Sequence, residues 1–226
     1  MMQNMDLNLS NKKLFIFDWD GTLADSIDLI SSCLMDSFKE LRLPELSPEK
    51  AKSIIGLGLI DALELLTPKA SDHDRDLLLK AYKKYFMERS VSGIVMFPGV
   101  EELLLFLKNK SVKTAVATGK SRAGLERDLS NSNLRAYFHT TRTIDECNPK
   151  PDPHMIVDIM NELGCSAAET VMIGDTTYDL DMAENAGVDS LAITGGAHSS
   201  EILEKCNPLK YFSGLKDLSE YLMKGI

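Results

Sequence analysis

The apolar and polar positions change period several times along the chain, and each change marks an element. Leu14-Phe15-Ile16-Phe17 is an unbroken apolar run that stops at Asp18-Trp19-Asp20-Gly21-Thr22. Four large apolar residues bounded by turn chemistry predict a strand covered on both faces, as in a parallel sheet. From Asp25 the period becomes helical. Ile27, Ile30, Leu34, Phe38 and Leu41 recur at spacings of three and four, with Asp25 or Ser26 available as N-cap and Pro44 to end the helix. Ser47-Pro48 writes a second helical start, Gly56-Leu57-Gly58 separates it from Leu59 to Leu66, and Thr67-Pro68 stops the chain again. A further helix beginning near Ser71 or Asp72 carries Leu78, Tyr82, Tyr85 and Phe86. No strand is read between about Ser26 and Phe97, and Phe97-Pro98-Gly99-Val100 closes this section.

Beyond it, strands and helices alternate. Val100 to Leu107 predicts a leucine-rich helix with a cationic exit at Lys108-Asn109-Lys110-Ser111, and Val112 to Ala117 predicts a strand ending at Thr118-Gly119-Lys120-Ser121. A helix follows from about Pro153 to Leu163. Thr170 to Ile173 is a short apolar strand running into Gly174-Asp175-Thr176-Thr177-Tyr178-Asp179 and a helix that ends at Ala186-Gly187. Ser190 to Thr194 and Tyr211-Phe212 predict two more strands, neither bringing new reactive groups, and the last helix lies around Leu215 to Met223. The alternation predicts an α/β fold with a mostly parallel sheet. The helical section then reads as an insertion after the first strand, large enough to be a small domain.

Composition narrows the class. A chain of 226 residues at 44% hydrophobic content can bury one substantial core and a smaller second one. The formal net charge of −9 argues against nucleic acid or an anionic membrane as a standing partner. The longest apolar runs, around Leu103 to Leu107, are too short to span a bilayer. Met-Met-Gln-Asn-Met-Asp-Leu at the N-terminus lacks a basic-then-apolar signal pattern, so a soluble cytoplasmic protein is expected. Cys33, Cys147, Cys165 and Cys206 are widely spaced and expected to be reduced, and the four scattered histidines leave little for a zinc site.

The candidate chemistry sits where strands end. Asp18 and Asp20, two apart, can be presented into one small volume, where their repulsion calls for a cation; hard oxygen ligands in little room suggest Mg²⁺. Gly21 permits a tight turn and close approach of amides to an anion, although an acidic turn capping the next helix would read the same way. Thr118, Gly119 and Lys120 offer a hydroxyl, amides and an ammonium to a phosphoryl oxygen, or else an ordinary helix cap. In Asn148-Pro149-Lys150-Pro151-Asp152-Pro153 the prolines stiffen a loop and can aim Lys150 at the carboxylates, or simply make a connector. Asp175 would add an oxygen ligand, and Asp179 could face the same site from the first turn of the helix, or both cap it; Asp181 is expected to face elsewhere.

Taken together, Asp18-Trp19-Asp20-Gly21-Thr22, the Thr118 segment, Lys150-Pro151-Asp152-Pro153 and Gly174-Asp175 to Asp179 resemble, in order, the four motifs of the haloacid dehalogenase-like hydrolase superfamily. The phosphoglycolate phosphatase-like group is the most similar. That resemblance implies a Rossmann-like core formed by residues 1–24 and 97–226, with a helical cap domain at residues 25–96. It implies a phosphatase of a small phosphorylated metabolite in which Asp18 is the nucleophile that becomes an aspartyl phosphate and Asp20 is the general acid and base. Mg²⁺ would be held by the Asp18 carboxylate, the Asp20 backbone carbonyl and Asp175, with Asp179 in support, while Thr118, the Gly119 amide and Lys150 take phosphoryl oxygens. Gly56-Leu57-Gly58 would lie in a cap loop that helps select the leaving group, with hinges near Asp25 and Phe97 to Gly99. The presence of Asp20 disfavours dehalogenation. Trp19, bulkier than the usual Leu, Met or Phe, and Gly119, where many relatives have asparagine, depart from the family's pattern; both leave the chemistry intact, and the details of the substrate do not carry over. A sugar phosphomutase or a pyrophosphatase on the same fold are the alternatives, and a non-catalytic binding protein is disfavoured because no reactive position is missing.

Overall fold

Strand β1 (Leu14–Phe17) is buried at every position, and its two faces explain why an unbroken apolar run forms a strand here. Phe15 and Phe17 pack with Leu103, Leu104 and Leu107 of α5 (Val100–Asn109) and with Leu218 and Leu222 of α10 (Leu215–Gly225). Leu14 and Ile16 point the other way, onto Met155, Ile156 and Ile159 of α7 (His154–Leu163) and Met182 and Ala183 of α8 (Thr177–Asn185). Each such side chain fully removed from water contributes roughly 1.5–3 kcal/mol. The computed structural model describes residue 9 and residues 11–225; the N-terminal stretch read above for a signal pattern lies outside them.

The sheet has six strands in the order β3-β2-β1-β4-β5-β6. Every neighbouring pair is parallel, from β3 (Thr140–Thr143) and β2 (Lys113–Thr118) through β1 and β4 (Thr170–Gly174) to β5 (Asp189–Ile193) and β6 (Lys210–Phe212). The fold is therefore an α/β, Rossmann-like sheet covered by helices on both faces, as the alternation predicts. Such sheets bind ligands at the carboxyl ends of their strands, where the order reverses. β1 sits at that reversal, between β2 and β4.

Between β1 and α5 lie α1 (Ile27–Glu40), α2 (Pro48–Lys52), α3 (Leu59–Leu66) and α4 (Asp72–Arg89), with a hydrophobic cluster of their own built from residues such as Leu34, Phe38, Leu63, Leu78 and Phe86. Ser47 and Ser71 cap α2 and α4, the latter through a capping box with Asp74. Helix α1 ends at Glu40, before Pro44, because Arg42 turns left-handed at φ 55°. Ser26 occupies its N-cap position but turns its hydroxyl elsewhere. The chain enters and leaves this section side by side. Asp25 N donates to Val95 O at 2.8 Å and Phe97 N to Leu23 O at 2.9 Å. Among the described residues no helix is long and apolar enough to cross a membrane, and the four cysteines are free.

Candidate active site

Asp18 is the first residue beyond β1, and its amide donates to Ile173 O at 2.9 Å, which holds it level with the end of β4. There it meets Lys150, which the loop before α7 buries so completely that its side chain has no exposed surface. The ammonium donates to Asp18 Oδ1 and to Asp179 Oδ1, both at 2.6 Å. Asp179 is the third residue of α8, and its other oxygen closes a capping box on Thr176, accepting from the amide at 3.1 Å and the hydroxyl at 2.7 Å. Capping and site roles thus coincide in one carboxylate. Asp175 accepts from the Thr22 hydroxyl at 2.6 Å and the Ala197 amide at 2.7 Å. Its carboxylate lies against Gly21, at φ +89°, and Gly196, where an added Cβ would stand 2.3 and 2.2 Å from its atoms. The segment after β5, read as bringing no new reactive groups, wraps this residue with its backbone.

Asp20 is held apart from that group. Its Oδ1 accepts from Ser26 Oγ at 2.7 Å, and Lys120 Nζ lies 3.0 Å from both of its oxygens. Lys120 also pairs with Asp128 of α6 (Arg122–Ser132) at 3.3 Å. Asp128 in turn accepts from Trp19 Nε1 at 3.2 Å. Trp19 is fully buried in the core against Phe138, on the side away from the site, so this departure from the family's usual residue leaves the site's chemistry intact. Lys120 is the residue that motif reading underweighted. The signal available was a lysine two residues beyond the second strand; its partners Asp20 and Asp128 are visible only in three dimensions.

Thr118, at the end of β2, is buried, and its hydroxyl accepts from the Lys120 amide at 3.2 Å. Above it the loop of Ile54 to Gly58 lies on the strand ends. A Cβ at Gly119 would stand 2.6 Å from both Gly56 O and Leu57 O, and one at Gly56 would stand 3.0 Å from Thr176 Oγ1. Ser53 O, just before this loop, accepts from Tyr178 Oη at 3.0 Å and lies 3.2 Å from His198 Nε2. Because His198 Nδ1 accepts from the Thr177 amide at 3.1 Å, the proton sits on Nε2 and both groups donate to the one carbonyl. Asp181 is directed instead to Cys206, as expected of a residue outside the site.

The electrostatics follow from burial. Asp18 is pushed well above the usual carboxyl range by burial, with Lys150 opposing and the charges of Asp179 and Asp175 adding. Burial and then the Asp179 charge raise Asp175 to about 7, against hydrogen bonds from Thr22 and Ala197. Burial pulls Lys150 down, but Asp179 and Asp18 outweigh it and the ammonium ends above its ordinary value. Lys120 is likewise raised, Asp20 and Asp128 overcoming its burial. Asp18, Asp175 and Asp179 each offer an oxygen within 4.8 Å of the others, and Asp18 Oδ2 is buried without a hydrogen-bond partner. Three carboxylates with one ammonium and an orphaned oxygen fit a hard divalent cation. Both oxygens of Asp179 are already engaged, and the Asp20 carboxylate lies outside the group.

Comparison with known proteins bears on this geometry. A family model described as haloacid dehalogenase-like hydrolase matches residues 15–193. The chain is 36% identical over 202 residues to a protein named probable phosphatase IndB from Dickeya dadantii, covering 87% of each. It is 30% identical to phosphoglycolate phosphatase of Aquifex aeolicus, covering 81% of this chain and 85% of that one. It is 25% identical to pyrophosphatase PpaX of Oceanobacillus iheyensis, covering 91% and 94%. A solved hydrolase from Pseudomonas syringae superposes with a TM-score of 0.85 at 24% identity, covering 94% of this chain and 98% of that one, a likeness of fold.

Proposed function

The chain belongs to the haloacid dehalogenase-like hydrolase family, and on that premise we propose that it is a Mg²⁺-dependent phosphatase of small phosphate monoesters working through an aspartyl phosphate. The observation that carries the reading is that two aspartates only two residues apart are held by different lysines, Asp18 by Lys150 and Asp20 by Lys120. A nucleophile and a proton-transfer group need such separate environments. The names of the relatives, phosphatase, phosphoglycolate phosphatase and pyrophosphatase, agree in phosphoryl hydrolysis and differ in substrate.

In this reading Asp18 attacks phosphorus in line and Asp20 protonates the leaving oxygen, then takes a proton from the water that hydrolyses the acyl phosphate. Proton transfer of this kind is worth about 10²- to 10⁴-fold in rate. Ser26 and Lys120 hold the Asp20 carboxylate at a fixed aim. Lys150, Thr118 and the Gly119 amide receive the phosphoryl oxygens. Asp18, Asp175 and the Asp20 carbonyl would hold Mg²⁺, with Asp179 fixing Lys150 beside them. When bound, the cation supplies the positive charge that keeps buried carboxylates ionised and offsets the incoming phosphoryl group.

In this reading residues 25–96 form the cap domain, and the described residues within 1–24 and 97–226 the core. The paired crossing at Leu23 to Asp25 and Val95 to Phe97 is the hinge about which the cap closes to exclude water. Cytoplasmic residence belongs to the same reading and agrees with four free cysteines. The test is phosphate release from a panel of monoesters and pyrophosphate, with Mg²⁺ and then with chelator. Metal-dependent release that Asp18→Asn abolishes is expected; unchanged release from that variant would sink the assigned nucleophile.

A further inference from the structure

The strand ends and the helical section enclose a cavity of about 840 Å³ that opens onto Asp18 and Asp20. Its helical wall includes Ile30, Leu34, Ile54, Leu57, Tyr82 and Phe86. Tyr82 and Phe86 stack at 5.8 Å with 28° between their planes, and Lys120 and Arg127 lie over the Phe86 ring, each at 5.4 Å. A space of this size belongs to the range that buries a ring-sized or larger ligand. A two-carbon acid or a second phosphate would leave much of it unfilled.

The buried ammonium of this chamber is already spent. Lys120 is committed to Asp20 and Asp128, and Arg127 lies 3.6 Å from Asp128. Lys83 lines the cavity from an exposed position at its rim. A phosphate ester with a second charged group would therefore find no buried ammonium free for its far end, and would meet Asp61 and Asp145 on the same lining. Tyr82 lines the same chamber, close enough to Asp20 that, after burial, the charge of that carboxylate raises the phenol.

We infer that the leaving-group chamber selects phosphate monoesters of neutral, ring-bearing alcohols, whose ring lies against the Tyr82–Phe86 wall, over phosphoglycolate and pyrophosphate. This rests on the phosphatase reading above and deepens it. Ring contact with an aromatic wall changes affinity on the order of 10- to 100-fold.

Benzyl phosphate and ethyl phosphate release alcohols of similar acidity, so the ratio of their kcat/KM reads the chamber and not the chemistry. The expected ratio is at least about 10 in favour of benzyl phosphate, with phosphoglycolate and pyrophosphate below it, and Phe86→Leu should reduce the ratio several-fold while the protein stays folded by circular dichroism. Phosphoglycolate or pyrophosphate turned over better than benzyl phosphate, or a ratio untouched by Phe86→Leu, overturns the inference. If acetyl phosphate and every ester resist hydrolysis, the phosphatase reading itself fails. The chamber is then judged by calorimetric binding of benzyl phosphate: at least about tenfold tighter than ethyl phosphate supports it, equal affinity overturns it.

Discussion

Gly119→Ala should separate the docking of the Ile54 to Gly58 loop from the stability of the fold. The added Cβ would stand 2.6 Å from Gly56 O and Leu57 O and 2.7 Å from Leu57 C, where ordinary contact begins at 3.4 Å. All three atoms are backbone, so no side-chain rotation relieves the clash. The loop must retreat by roughly 0.8 Å, yet Ser53 O just before it is fixed by Tyr178 and His198. Overpacking of this kind costs about 1–3 kcal/mol. If the docked loop is needed for turnover, kcat/KM falls by about 5- to 150-fold, at 1.4 kcal/mol per decade. Undocking relieves the strain in the resting protein, so Tm should move little. Were the whole fold to carry the cost, Tm would fall by about 2–4 °C per kcal/mol for a chain of this size. Steady-state kinetics and calorimetry on the same preparation decide it. An unchanged kcat/KM in the folded variant would refute the reasoning, and a Tm loss matching the full penalty would relocate the strain to the core.

Lys120→Met removes the ammonium from both Asp20 and Asp128 and should lower kcat by about 10²-fold or more with a smaller change in KM; a loss confined to KM would instead make Lys120 a substrate contact. Lys150→Met leaves Asp18 and Asp179 without their buried partner, and breaking such a pair costs about 3–5 kcal/mol, so thermal unfolding without metal should show a clear loss together with abolished turnover. In metal-free protein, burial and then the Asp179 charge raise Asp175 from 3.8 to about 7, so the folded state keeps a proton that the unfolded chain releases. That stabilisation is complete below about pH 4 and is lost as pH rises through about 7, and Asp18, raised by burial, acts in the same sense. In chelator, Tm should therefore fall across this window, while saturating Mg²⁺ flattens or reverses the trend because binding needs ionised carboxylates. A Tm that rises over the window in chelator, or is indifferent to Mg²⁺, would count against the cation site.

The contiguous parts of this molecule were legible in the sequence. Leu14 to Phe17 could be read as a doubly covered strand because both faces are apolar, and α3 at Leu59–Leu66 because Gly58 and Thr67-Pro68 bracket it. β3 was not legible. Thr140-Thr141-Arg142-Thr143 has no apolar run, and its extended state is imposed by pairing with Ala115 to Thr118 at the edge of the sheet, where Arg142 is held by Asp158 and Glu162. The partners that complete the site were hidden for a related reason. Thr22 and Ala197 reach Asp175 across 153 and 22 positions, and Lys120 reaches Asp20 across 100, separations that no local pattern records.

Trp19 shows why a departure from the motif can leave the site intact. It lies between Asp18 and Asp20 in the sequence. Yet side chains alternate along a strand and its continuation, so Phe15, Phe17 and Trp19 share one face while Asp18 and Asp20 share the other. Phe15, Phe17 and Trp19 do lie together in the core beneath the sheet. A bulky residue at position 19 is thus a packing choice. It reaches the chemistry at one remove, because its indole N–H holds Asp128, Asp128 pairs with Lys120, and Lys120 spans both oxygens of Asp20. The strand face that fills the core therefore also anchors, through Trp19, Asp128 and Lys120, the carboxylate assigned to proton transfer.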